Sequence, residues 1–140
     1  MRTLDDLLLG SAWFPGLCAA QQDRVRRELI ERTVSAGGFV LRKSEPVDHW
    51  LGVADGLVKI SNSSFDGKLV TFTGVPAGGW LGEGSLLKDE PRRYDVIAIR
   101  DSRVVLMPRT TFQWLLDSSI PFNRFLLRQL NERLGQFIAM

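Results

Sequence analysis

The sequence predicts a mainly β domain with helices at both ends. Three observations carry that prediction. Apolar residues recur at helix spacing before residue 33 and after residue 108. Between them, short runs rich in β-branched and aromatic residues alternate with turn residues. Gly-Gly and Asp-Gly steps punctuate those runs. The 140 residues suffice for one domain with its own core. A composition of 44% hydrophobic and 24% charged residues, with four Trp, argues against disorder.

Residues 3–32 read as a helical lead-in. Leu4, Leu7 and Leu8 share a helix face, as do Val25, Leu29 and Ile30, and Pro15-Gly16 divides the stretch into two short helices. From Thr33 to Pro108 the runs 57–64, 68–75 and 93–108 alternate inward and outward residues. The Asp55-Gly56 and Asp66-Gly67 steps are hairpin signals. Many short strands at regular spacing suggest a sandwich, a jelly roll or a small barrel. Helix periodicity returns at Arg109. Thr110 or Thr111 is the expected cap of a short helix, and Pro121 suits the first residue of a second one. That second helix carries Ile120, Leu127, Leu130, Leu134 and Phe137 on one stripe and Phe122, Phe125 and Leu126 on another. A helix apolar on two sides needs two partners: its own β core and a second subunit. The stripe runs to Met140 without a polar cap, so further chain is expected beyond it.

Composition limits the functions available. Eighteen basic residues against 16 acidic give a net charge of +2 and no strong field, so direct DNA binding by this segment is not expected. Arg24, Arg26, Arg27 and Arg32 read as a solvated helix face. The single cysteine, Cys18, allows no internal disulfide and no iron–sulfur cluster, and its apolar neighbours suggest a buried structural thiol. The start is too short and too acidic for a signal peptide, and no apolar run approaches the roughly 20 residues of a membrane span. A cytoplasmic location without membrane contact is expected. His49 is the only histidine and is placed in a loop or at a strand start. One histidine cannot supply the ligand set of a metal-dependent enzyme, and no motif supports haem. No metal site and no catalytic residue are expected.

The candidate chemistry lies in 78–95. Glycines crowd the stretch GGWLGEG, where backbone N–H groups can converge on an anion. Pro91-Arg92-Arg93 follows six residues after Gly84, and an arginine can meet phosphate oxygens in pairs. Glu83 would repel a phosphate but suits a sugar hydroxyl. Together these residues suggest a sugar phosphate of low charge.

Gly82-Glu83-Gly84-Ser85-Leu86 followed by Pro91-Arg92 resembles the phosphate-binding cassette of cyclic-nucleotide-binding domains. Nearly the whole chain, through AGGFVLRKSEPVDHWLGVADGLVKIS and DGKLVTFTGVPAGGWLGE, is similar to Crp/Fnr-type transcription regulators. The resemblance implies a double-stranded β-helix, or jelly roll, acting as a cyclic-nucleotide-binding β-roll over 33–108. It is flanked by the helices of 1–32 and by 109–140 with a long dimerisation helix. It implies that Gly82, Gly84 and Ser85 offer backbone N–H groups, that Glu83 takes a ribose 2′-OH, and that Arg92 pairs with the cyclic phosphate. Arg93 stands where cyclic AMP and cyclic GMP binders often carry Ser or Thr. It either favours a more highly charged anion or points to solvent beside Asp95. Trp80 and Phe137 are candidates for stacking on a base, and Leu127, Leu130, Leu134 and Phe137 for the dimer seam. The expected function is a non-catalytic, homodimeric sensor of a cyclic AMP-like nucleotide or related phosphorylated molecule. It would relay binding to a helix-turn-helix domain beyond residue 140 and so to DNA and RNA polymerase. The alternatives are a dimerisation module with a vestigial pocket and a regulatory domain joined to an effector that does not bind DNA.

Overall fold

The computed structural model describes residues 2–63 and 69–139, with the side chains of 62–63, 69–73 and 136–139 outside the description. The turn expected at Asp66-Gly67 and the side chain of Phe137 therefore lie outside the described residues. Two helices lead in, α1 (Leu4–Gly10) and α2 (Ala19–Glu28). Thr3 and Asp6 cap α1 reciprocally, each backbone N–H donating to the other's side chain. β1 (Ile30–Val34) follows, so the last residues assigned to the helical lead-in, Ile30–Arg32, are strand. The cause is tertiary: β1 pairs with β8 (Ser102–Pro108) from Ile30 opposite Leu106 to Val34 opposite Ser102.

The remaining strands are β2 (Phe39–Leu41), β3 (His49–Asp55), β4 (Leu57–Ser63), β5 (Leu69–Pro76), β6 (Trp80–Leu81) and β7 (Asp95–Ala98). They form two antiparallel sheets, β1-β8-β3-β6 and β2-β7-β4-β5, which realise the expected mainly β jelly-roll arrangement. Asp55-Gly56 is not a hairpin turn, because β3 and β4 belong to different sheets. Gly56 has φ +100°, and a Cβ there would stand 2.3 Å from Ser102 Oγ, so the step is a tight crossover between sheets.

The inner strands β8 and β3 of the first sheet are buried on both faces, and the sequence shows why. Along β8 and β3, Val104, Leu106, Leu51 and Val53 point between the sheets, joining Val40, Val58, Leu81 and Val96. Val105, Met107 and Trp50 point the other way, under the helices. A period of two therefore feeds two cores from one apolar run. In the outer core Trp50 and Trp80 stack at 4.3 Å, and Trp13 packs edge-on to Trp80 at 5.5 Å. Gly52 makes room for this stack, since a Cβ on it would lie 2.8 Å from the Trp80 ring.

Three further expectations are corrected. Pro108, not Thr110 or Thr111, occupies the cap position of α4 (Arg109–Ser118). Thr111 is buried and donates its hydroxyl to Glu28 Oε1 at 2.8 Å, which ties α4 to α2. Ser119 caps α5 (Ile120–Ala139) by accepting from Phe122 N, so Pro121 is its second residue. Cys18 is exposed, because it sits at the cap of α2, outside the helix's buried face. His49 opens β3. Among the described residues no helix is long and apolar enough to cross a membrane.

Gly52→Ala is expected to lower stability by about 1–3 kcal/mol through overpacking against Trp80. Urea unfolding reads this as a lower midpoint with an unchanged slope. An unchanged midpoint would mean that Trp80 moves aside without cost.

Candidate functional site

β6 delivers the chain to Gly82, whose φ of +100° lies in the left-handed region that glycine adopts freely. Gly82 caps the short helix α3 (Glu83–Lys88). This turn drives Glu83 inward, where it is 0% exposed. Its carboxylate accepts three hydrogen bonds: from Trp50 Nε1 at 3.1 Å, Gln129 Nε2 at 2.8 Å and Arg133 Nη1 at 2.5 Å. The same two α5 residues also donate to the backbone oxygen of Trp80, at 3.2 and 2.7 Å. A buried carboxylate is tolerable when it is paired and hydrogen-bonded in this way. Gly84 and Ser85 stand half-buried in the first turn of α3.

After α3 the chain reaches Pro91-Arg92. The Arg92 backbone is pinned on both sides by the 44–45 loop: Ser44 N donates to Arg92 O at 2.8 Å, and Arg92 N donates to Glu45 O at 3.0 Å. Arg92 is 4% exposed, and its Nε has no hydrogen-bond partner among the described residues. Burial pushes the guanidinium below its ordinary pKa, while Tyr94, Glu45 and Asp48 pull it back up. Arg92 lines a cleft of about 640 Å³ between the edge strands β1 and β2, with Arg32, Phe39, Arg42, Glu45 and His49.

Tyr94 stands half-buried against the inter-sheet core beside Leu41 and Ile60. Burial raises its phenol pKa, Arg92 and Arg133 lower it, and Glu83 raises it. Tyr94 is thus in electrostatic reach of both cassette charges. Glu83 and Arg92 themselves address different surroundings: Glu83 faces Trp50 and α5, and Arg92 faces the 45–49 loop and the cleft.

The other candidates are placed as follows. Arg93 is exposed and pairs with Glu90 at 3.1 Å, not with Asp95, whose Oδ1 accepts from Lys43 N. Trp80 is buried on the helix side of its sheet, stacked on Trp50 and donating Nε1 to Ser11 Oγ at 2.9 Å. No ring face is left for a base there, which corrects the stacking expectation. On α5, Phe122 and Leu126 are buried, whereas Leu127 and Leu134 are 68% and 57% exposed and Leu130 is half-buried. Among the described residues no group of three or more His, Cys, Asp or Glu could hold a metal ion. Sequence reasoning missed Gln129, Arg133, Tyr94 and Trp50. Gln129 and Arg133, four apart, share a helix face, but nothing local sets them apart from the other polar residues of α5.

Comparison with known proteins adds four findings. The family model described as "Cyclic nucleotide-binding domain" matches residues 31–119. The cAMP-dependent protein kinase regulatory subunit of Blastocladiella emersonii is 29% identical over 103 residues, which are 74% of this chain and 26% of that one. The structure is similar to the sensor domain of the transcriptional regulator DNR from Pseudomonas aeruginosa, with a TM-score of 0.82 at 20% identity, covering 96% of this chain and 91% of that one. It is also similar to the catabolite activator protein of Thermus thermophilus, with a TM-score of 0.79 at 22% identity, covering 92% of this chain and 61% of that one. The chain therefore spans about a quarter of the kinase subunit and under two thirds of the activator.

His49 supplies a pH test. Burial holds its pKa below 6.5; Asp48 opposes that, and Arg92 and Arg32 reinforce it. A folded-state value below the unfolded one means that protonation opposes folding. The neutral imidazole's contribution is therefore present above pH 6.5 and lost as the pH falls through the folded-state value. NMR titration of this single imidazole is expected to give a midpoint below 6.5, and His49→Gln to flatten urea stability across that window. A midpoint at or above 6.5 would contradict the burial.

Proposed function

This chain belongs to the cyclic nucleotide-binding domain family, and from that premise we propose that it senses a cyclic nucleotide or a related phosphorylated small molecule without chemically altering it. One observation carries the proposal. Arg92 is 4% exposed, and its Nε has no hydrogen-bond partner among the described residues. Such a group is expensive unless an anion joins it. A cyclic phosphate supplies one, with charge-assisted hydrogen bonds to the guanidinium. Gly82, Gly84 and Ser85 would face the phosphate with backbone N–H groups, and Arg93 would add charge at the rim.

Glu83 supports a mechanism. A ribose 2′-OH donating to this carboxylate would compete with Gln129 and Arg133, which hold it at 2.8 and 2.5 Å. Ligand binding would thus change how firmly α5 is held to the cassette. A ligand that binds one α5 arrangement better than the other shifts the population between them. The exposed Leu127 and Leu134, with Leu130 between them, suit a homodimer seam, with Phe137 continuing the heptad spacing. In this reading the domain is the cytoplasmic effector part of a Crp/Fnr-type regulator. α5 leads to a helix-turn-helix domain, and DNA and RNA polymerase are partners of the full-length protein. The kinase regulatory subunit among the relatives favours a second reading, in which the same domain controls an effector that does not bind DNA.

Calorimetry with cyclic AMP, cyclic GMP and cyclic di-GMP tests the sensing site. One of them is expected to bind, and Arg92→Ala to weaken it by at least about 30-fold, as for other truncated buried charge partners. No heat from any of the three with folded protein would overturn the reading. Sedimentation tests the seam: the wild type is expected to be a dimer and Leu127→Lys with Leu134→Lys a folded monomer. A dimer that survives both changes would place the interface elsewhere.

A further inference from the structure

The two carboxylate oxygens of Glu83 answer to different parts of the fold. Oε1 accepts from Gln129 Nε2 at 2.8 Å and from Arg133 Nη1 at 2.5 Å, both on α5. Oε2 accepts from Trp50 Nε1 at 3.1 Å, on β3. The last torsion of a glutamate side chain is soft, so its donors decide how the carboxylate lies. Donors on one oxygen leave the other free to swing. Donors on both fix the carboxylate plane.

The two sets of donors differ in firmness. The Arg133 side chain is 40% exposed, whereas Trp50 is 0% exposed. The Trp50 ring stacks on Trp80 at 4.3 Å and meets Phe112 and Phe122 edge-on at 5.5 and 5.4 Å. Its strand lies inside its sheet, paired with β6 on one side and β8 on the other. Phenylalanine also supplies a buried ring to a core. What the indole adds is an N–H, and here that N–H is aimed at the cassette carboxylate.

We propose that Trp50 is a positioning residue of the sensing site. Its indole N–H holds Oε2 in place while Oε1 passes from Gln129 and Arg133 to a hydroxyl of the ligand. The proposal rests on the reading of Glu83 as the acceptor for a ribose 2′-OH, and it gives that exchange a fixed side. When the α5 donors let go, the carboxylate keeps its orientation because its second oxygen stays tied to the sheet.

The test compares cyclic AMP and cyclic GMP, each with its 2′-deoxy analogue, by calorimetry. A hydrogen bond to a carboxylate is worth about tenfold or more in affinity, and the wild type is expected to prefer the ribo form by that ratio. Trp50→Phe keeps a ring and removes the N–H, and is expected to cut the preference at least about threefold. General loosening of the site lowers both affinities and leaves their ratio. Trp80→Phe is the matched control: it thins the same stack, but its N–H goes to Ser11 Oγ, so the wild-type ratio is expected to persist. In the wild type, NMR is expected to show the Trp50 indole N–H still protected from exchange at saturation, while the Gln129 side-chain amide signal shifts. A wild type indifferent to the 2′-OH would overturn the proposal. So would an unchanged ratio in Trp50→Phe, an equal fall in both variants, or loss of Trp50 protection on binding. Binding of neither mononucleotide would overturn it too, whereas the sensing reading itself falls only if cyclic di-GMP is also silent.

Discussion

The carboxylate of Glu83 is where three parts of the molecule meet. It joins the cassette to β3 through Trp50 and to α5 through Gln129 and Arg133. The geometry follows from constraints set elsewhere. Gly82 must take a left-handed conformation to turn the chain into α3, and Gly52 must lack a side chain so that Trp80 can lie on Trp50. The indole stack then fixes where Trp50 Nε1 points. The long helix is seated by Phe122 and Leu126, and one and two turns later its polar face reaches the buried acid. Packing therefore sets the position of the helix, and the ionic bonds set its register against the cassette.

Arg92 presents the opposite case. Glu83 is a buried charge with its partners in place; Arg92 is a buried charge whose Nε has none. Pro91 and the backbone bonds to Ser44 and Glu45 hold Arg92 where it is. A fold that retains a buried guanidinium with an unpartnered Nε gives up stability for it, a common signature of a site built for a ligand. Tyr94 stands within electrostatic reach of both charges, so a ligand that joins them has to accommodate its phenol.

Much of this was legible in the residues. The alternation of the 93–108 run, which holds β8, was visible, and Gly82, Glu83 and Arg92 stood out through the resemblance to a phosphate-binding cassette. The two apolar stripes of α5 correspond to one buried face and one exposed face. What was not legible depended on long-range pairing. Asp55-Gly56 has the composition of a hairpin turn, yet which sheet receives the next strand is decided by partners far along the chain. Ile30–Arg32 continue a helical pattern, but β8 captures them as strand. Arg133 reads locally as an ordinary surface charge. Its role appears only when Glu83, 50 residues earlier, is brought beneath it.

The account stands on the claim that Arg92 is kept for a ligand and not for the fold. Arg92→Met tests it directly, since Met has a similar length and carries no charge. Urea unfolding without ligand is expected to give a higher midpoint for the variant, by analogy with buried charges replaced by apolar side chains, which gain about 1–4 kcal/mol. A lower midpoint would show that the guanidinium is bonded within the protein and serves the fold, which would contradict the account.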